Sequence, residues 1–194
     1  MHEILRTSRL LLRRFEPSDV DNLLSLYGDP DVMRYLDNQT WTRERIEVEL
    51  VPAFLSEYER YTRYGYFAAE IPDGSFVGRI ALHPAIMDTA PNGLWWHAPS
   101  DEADAVSIGY RLVRRHWGCG YATEAAAAVV DLAFDRYGIG RAVATTMAVN
   151  QRSRRVLERI GFHHTRTVDL EWDDPLPGTE HGEVVYERVR PIQQ

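Results

Sequence analysis

At 194 residues the chain is long enough for one domain with a full core, and its 44% hydrophobic and 26% charged residues are those of an ordinary globular protein. A formal net charge of −7 argues against a general binder of nucleic acid or of anionic membranes, and it favours a cationic substrate. All 22 basic residues are arginine, which excludes a Schiff-base or P-loop lysine; the single Cys119 excludes an internal disulfide, and no Cys/His cluster has metal-binding spacing.

Residues 1–6 lack the apolar core of a signal peptide, and no run reaches the ~18 apolar residues of a membrane span, so a cytoplasmic location is the expectation. Residues 9–15 read as a first strand. Pro17, Asp19 and Asp21 open a helix whose apolar face is Val20, Leu23, Leu24 and Tyr27, and the run Gly28, Asp29, Pro30 ends it. Residues 31–36 form a short helical piece. A longer helix starts at Thr42 and carries Ile46, Leu50 and Phe54, with Pro52 predicting a break or kink. Strands at 66–71 and 76–82 flank a Pro-Asp-Gly-Ser turn. Residues 84–103 are the least regular segment. A strand at 105–113, a helix at about 121–137 ended by Gly138, a strand at 142–149 and a helix at 151–160 ended by Gly161 follow. Two strands, about 162–172 and 183–190, close the chain. This order predicts an α/β (α+β) domain over 1–194, a single mixed central sheet flanked by helices, in which the 121–137 helix joins parallel strands by a right-handed crossover.

The run LVRRHWGCGYATEA at 112–125 is the most informative stretch. A strand end, a turn with Gly118 and Gly120, and the start of an alanine-rich helix bring several N–H groups and a helix N-terminus to one spot. That arrangement holds an anion such as a pyrophosphate. A plain tight turn is the bland alternative. A dinucleotide-binding fold places G-x-G-x-x-G after its first strand, whereas this turn lies late and lacks the third glycine. A Walker loop needs the missing lysine. Coenzyme A remains.

One strand downstream, the run from Asn150 through Ser153 to Gly161-Phe162 closely resembles the N-x-x-S…G-F signature of the GNAT superfamily of N-acetyltransferases. Arg9, Leu10, Leu12 and Arg13 with Asp19, followed by Asp29-Pro30 through Tyr35, resemble the ribosomal-protein N-terminal acetyltransferase subfamily. The resemblance runs over about residues 7–190 and implies the GNAT fold. It puts the pyrophosphate loop on Trp117, Gly118, Cys119, Gly120, Tyr121 and Ala122, with Trp117 where an Arg or Gln is usual; a literal R-x-x-G-x-G also starts at Arg115. The loop then holds its ligand mainly through backbone amides. The main chain of Leu112 and Val113 matches positions that pair with the pantetheine arm. Asn150 matches the residue that bonds the arm's amides, and it is also an ordinary helix cap. Ser153 falls near the thioester sulfur. Arg111, Arg114, Arg115, Arg152, Arg154, Arg155 and Arg159 form two basic blocks, some of which meet the cofactor's phosphates.

The implied activity is acetyl transfer from acetyl-CoA to a primary amine, first of all a protein or peptide N-terminal α-amine. The alternatives are an aminoglycoside or polyamine acetyltransferase and a non-catalytic acyl-CoA sensor. No metal, nucleic acid or membrane partner is expected, and a homodimer is common among such enzymes. Two departures stand out. Leu157 replaces the usual tyrosine acid, leaving Ser153 to anchor or protonate the thiol. Ser107 replaces the usual glutamate base, whose substitutes are Asp104, His97, Glu70, His83 and Glu171. Tyr35, Trp41 and Asp37 on one side and Trp95 and Trp96 on the other are candidate walls for the acceptor, and Asp101, Glu102 and Asp104 would attract a cation.

Overall fold

The computed structural model describes residues 3–87, 95–98, 101–103, 105–170 and 174–191. Its strands are β1 (Glu3–Arg6), β2 (Leu11–Arg14), β3 (Gly65–Glu70), β4 (Phe76–Met87), β5 (Trp95–His97), β6 (Ala105–Leu112), β7 (Arg141–Met147), β8 (His163–Val168) and β9 (Glu183–Val189). They form one mixed sheet in the order β1-β2-β3-β4-β6-β7-β9-β8, with β5 paired to the far end of β4. Every described pairing is antiparallel except β6 with β7. That one parallel pair is the product of the expected crossover through α5 (Tyr121–Asp135).

Alternation along the strands divides the sheet into two buried faces. Ile80, Leu82, Val106, Ile108 and Leu112 pack with Ala126, Val129, Val130 and Ala133 of α5 and with Leu157 of α6 (Gln151–Arg159). The opposite face receives α1 (Val20–Tyr27), α2 (Pro30–Met33), α3 (Arg43–Arg45) and α4 (Val51–Arg60), whose Leu23, Leu26, Val32, Val51 and Phe54 join Phe15, Ala68 and Phe76. At the edge of this layer Arg13 is buried with two carboxylates. It bonds Asp19 bidentately, both contacts at 2.7 Å, and Glu70 through Nε at 2.9 Å and Nη2 at 2.5 Å.

Several expectations are corrected. β1 precedes the first expected strand. Pro52 breaks nothing: it occupies the first turn of α4, and a π-helical stretch (Ile46–Leu50) joins α3 to α4, so the missing N–H falls where the helix changes its bonding pattern. Within 84–103, β4 runs on to Met87 and Trp95–His97 form a strand against it. Among the described residues no helix is long and apolar enough to cross a membrane.

Candidate active site

The parallel pair is short. Ala105, Val106 and Ser107 align with Arg141, Ala142 and Val143, and from Ile108 and Ala144 onward the two strands have no register partners in each other. β6 stays paired to β4 as far as Leu112, and β7 stays paired to β9 as far as Met147. Two strand edges therefore face each other across a gap. The Val113 N–H donates to the Val77 carbonyl at 3.0 Å, and the Ala98 N–H to the Pro84 carbonyl on β4's other side at 2.8 Å. These bonds fix the alternation: Ile108, Tyr110 and Leu112 turn their backbone groups toward the gap, while Gly109 and Arg111 turn theirs to β4. An extended ligand bearing amides can bond to such an edge as an added strand would.

At the end of β6 the chain turns through Arg114–His116 and enters α5. Gly118 (φ 78°) and Gly120 (φ 82°) hold left-handed conformations that L side chains resist. Gly120 is the N-cap of α5, and among the described residues no side chain caps its first-turn N–H groups. A Cβ added at Gly118 would meet nothing within 4 Å, so the loop opens outward. A buttress holds the loop from behind. Glu124 accepts from Thr7 Oγ1 (2.6 Å), Ser8 Oγ (3.0 Å), Arg9 N (2.9 Å) and Arg9 Nε (2.6 Å), and Arg9 Nη1 donates to the Cys119 carbonyl at 3.0 Å. Burial raises the Glu124 carboxyl, but these bonds outweigh it and hold the group below its ordinary range.

The gap and the loop merge into one groove of about 1040 Å³, lined by β6 from Ile108 to Leu112, β7 from Ala144 to Thr146, the turn around Gly118, the start of α6 and part of α2. Asn150 caps α6 by accepting the Ser153 N–H at 3.2 Å. Tyr110 reaches across the gap: its hydroxyl donates to the Ser153 carbonyl at 2.9 Å and lies 3.0 Å from Ser153 Oγ. Burial pushes the Tyr110 hydroxyl well above its ordinary range, so it stays protonated. Sequence reasoning missed this tyrosine because its role depends on which face of β6 meets α6.

Of the expected ligand residues, Leu112, Trp117, Gly118, Gly120, Tyr121, Ala122, Asn150 and Ser153 line the groove. Val113, Arg115 and Cys119 do not. Val113 is buried with its N–H spent on Val77, Arg115 Nη2 donates to the Phe76 carbonyl at 3.3 Å, and the Cys119 side chain is exposed. Even Leu112 offers only its N–H, because its carbonyl accepts the Trp117 indole N–H at 2.8 Å. Of the arginines, Arg114 pairs with Asp31, Arg154 serves Tyr186 and Ala148, and Arg152 lies 4.9 Å over the Trp117 ring. Tyr35 lines the groove, whereas Trp41 donates to Asp37 at 2.9 Å and packs on Tyr27. Trp95 and Trp96 lie in β5, and their side chains fall outside the described residues, as do Asp104 and Glu171.

Among the remaining base candidates, Glu70 is committed to Arg13. His83 stands cross-strand from Ser107, 2% exposed, stacked on His97 at 4.1 Å, with Nε2 3.3 Å from Glu57 Oε2. Burial, helped by the charges of His97, Arg79 and Arg60, pushes its imidazole down to about 3, and burial raises the Glu57 carboxyl.

The model of the acetyltransferase (GNAT) domain matches residues 9–163. The FsC-acetyl coenzyme A-N(2)-transacetylase of Aspergillus fumigatus is 35% identical over 188 residues, 96% of this chain and 76% of that protein. Among solved structures, the RimL ribosomal L7/L12 α-N-protein acetyltransferase in complex with coenzyme A superimposes with a TM-score of 0.74 at 21% identity, over 97% of this chain and 98% of that one. The Vibrio cholerae spermidine N-acetyltransferase in complex with coenzyme A and spermine gives 0.72 at 15% identity, over 94% and 96%. The chain belongs to the GNAT family and is an N-acetyltransferase.

Proposed function

We propose that this protein transfers the acetyl group of acetyl-CoA to the primary α-amine of a peptide N-terminus or of a small amino compound. The observation that carries the reading is the unpaired stretch of two parallel strands ending at a glycine cradle on a helix N-terminus. Those residues fit the cosubstrate: the gap-facing backbone of Tyr110 and Leu112 suits the pantetheine arm, and Gly118, Gly120 and the uncapped start of α5 suit the pyrophosphate. Asn150 keeps its Nδ2 to donate to the arm while its Oδ1 caps α6.

The bound thioester supplies an activated acetyl carbonyl. An incoming amine forms the C–N bond as the C–S bond breaks, loses one proton, and the sulfur gains one. The Tyr110 N–H, turned into the gap, is placed to polarise the carbonyl. Ser153 Oγ donates to the sulfur and is refilled from water, while the Tyr110 hydroxyl, 3.0 Å from Oγ and donating to the Ser153 carbonyl, holds it in place. This pair stands in for the absent tyrosine at Leu157, which is 1% exposed in the core. On the face that carries Ser107, Glu57, with Oε2 3.3 Å from His83 Nε2, receives the amine's proton through water in the role of the absent glutamate.

The test is a panel of Ser- and Ala-initiated peptides, amino acids and their amides, aminoglycosides and polyamines, scored by thiol release with acetyl-CoA. Turnover of α-amines above the other classes is the expected result. Tight coenzyme A binding with no thiol release on any amine would instead identify a sensor.

A further inference from the structure

Arg79 on β4 and Arg111 on β6 are cross-strand partners, so their side chains leave the sheet side by side on one face. That face is the one covered by α1 to α4. Arg111 lies 4.2 Å over the Tyr27 ring with Nη1 3.5 Å from Met33 Sδ, and Arg79 lies 4.7 Å over the Tyr66 ring. Both line the groove. Among the described residues neither guanidinium has a carboxylate within ion-pair distance, and the Nε of each is shut off from solvent with no hydrogen-bond partner. Buried charges in folded proteins are ordinarily paired, and like charges facing each other across a ladder repel. Burial and the neighbouring Arg79 together push the Arg111 guanidinium down to about 10. Aromatic faces offset part of this cost but accept no N–H in the guanidinium plane.

We propose that Arg79 and Arg111 form an anion subsite on the acceptor side of the groove, and that the amine acetylated by this protein carries a carboxylate. The inference rests on the acetyltransferase reading above and narrows its acceptor. Two planar guanidinium forks match the two oxygens of a carboxylate. The next register step on the same face is Ala81 with Gly109, small residues that leave an open floor roughly 7 Å along the strands. That floor puts the amine beside the gap while its carboxylate rests on the arginines. The two cations also lower the pKa of an incoming ammonium, which favours the free base needed for attack, and they repel a polyamine. The negative charge of the whole chain therefore misleads about its acceptor. The carboxylate has two sources, the carboxyl of a small amino compound or an acidic side chain near a peptide N-terminus.

The experiment uses the full chain with acetyl-CoA and matched acceptors: amino acids against their amides, and Ser-initiated peptides with Asp against Asn at the second position. The wild type should prefer the acid by about tenfold in kcat/KM. Arg111→Met and Arg79→Met should each bring that ratio toward one. The pair that shows the preference identifies the source. Equal use of acid and amide, or a ratio unmoved in both variants, overturns the subsite. Thermal unfolding gives a second readout that needs no turnover. In the ligand-free protein Arg111→Met should raise Tm, because a half-buried charge with no carboxylate partner among the described residues becomes apolar, and it should abolish the protection that the preferred acid gives the wild type in the presence of coenzyme A. A fall in the ligand-free Tm would assign Arg111 a structural role instead. If no amine releases thiol, the acetyltransferase reading fails, and protection by the acids still decides the subsite.

Discussion

The Arg152 guanidinium lies 4.9 Å from the centroid of the Trp117 ring, while the indole N–H of that ring donates to the Leu112 carbonyl at 2.8 Å. Trp117 thus seals the end of β6 and carries a cation at the mouth of the groove, where the family pattern has a charged or amide side chain at position 117. The charge absent from that position returns from α6. Arg152→Ala should weaken coenzyme A binding about fivefold at low salt, and less at high salt because the lost contact is a screened charge. Trp117→Phe, which keeps the ring, should weaken it less than Trp117→Ala. Calorimetric titration at two ionic strengths measures both, and an Arg152 effect independent of salt would remove the phosphate role.

Gly118 and Gly120 separate backbone strain from contact. An alanine at either must hold a positive φ, at a cost of about 1–2 kcal/mol. At Gly118 the new methyl meets nothing, whereas at Gly120 it lies 3.4 Å from Arg9 Nη2. That is ordinary contact with the end of a flexible side chain, so the two variants should lose about equal stability in urea unfolding. Both should lose coenzyme A affinity by more than their stability loss accounts for, since the same φ values aim the N–H groups.

The Tyr110–Ser153 contact predicts a split between binding and chemistry. Ser153→Ala should lower kcat by roughly 10- to 100-fold with a small change in the KM for acetyl-CoA, the scale of a lost proton donor. Tyr110→Phe should lower it less, because Ser153 can still donate once per turnover and refill from water. An increase in KM alone in both variants would reduce the pair to a bracket joining β6 to α6.

At the other end of the proton's path, the raised Glu57 carboxyl should appear as an acidic limb in the pH profile of kcat/KM. Activity rises with pH as a base loses its proton, so the limb should lie above the ordinary carboxylate range of about 4.3. Glu57→Gln should remove the limb and lower the plateau. His83, pushed down to about 3, is neutral across the working range and cannot supply a limb near neutrality. A limb that persists in Glu57→Gln assigns the base elsewhere.

The parts of this site that were legible in the sequence are those a local pattern encodes. Gly118 and Gly120 before an alanine-rich run require a left-handed turn and a helix start, and Asn150 followed by Ser153 encodes a cap whatever else it does. Register is not local. Whether Val113 or Leu112 turns its amide to the gap depends on how β6 aligns with β4, and the Val113 bond to Val77 settles that only in the folded sheet. The same holds for Arg79 with Arg111, for Tyr110 with Ser153, and for Glu124 with Thr7 to Arg9: each pair is joined across distant segments. Pairs of this kind have no periodicity to betray them. Arg111 in particular reads as one more member of a basic block, and Arg79 belongs to no pattern at all, until the ladder sets them side by side.

Arg13, Asp19 and Glu70 give the last prediction, on stability. All three are buried, and Arg13 is the common partner of both carboxylates, so removing it strands two buried acids. Arg13→Gln should cost about 3–5 kcal/mol in urea unfolding at pH 7, the range for breaking one side of a buried pair. Burial alone would raise the Asp19 carboxyl, but the Arg13 bonds, the Glu16 N–H and Asn22 outweigh it and hold the group below its ordinary value. A carboxylate depressed in the folded state binds protons more readily when unfolded. Its contribution is complete above the unfolded value of about 3.9 and drains away as pH falls through the lower folded value. The wild-type unfolding midpoint should therefore fall steeply below about pH 4. Asp19→Asn should be less stable at pH 7 and should show a shallower acid slope, because the group that takes up the proton is gone. Urea midpoints at pH 7, 5, 4 and 3 measure both quantities, and parallel curves for the two proteins would mean that Asp19 is not the group that titrates.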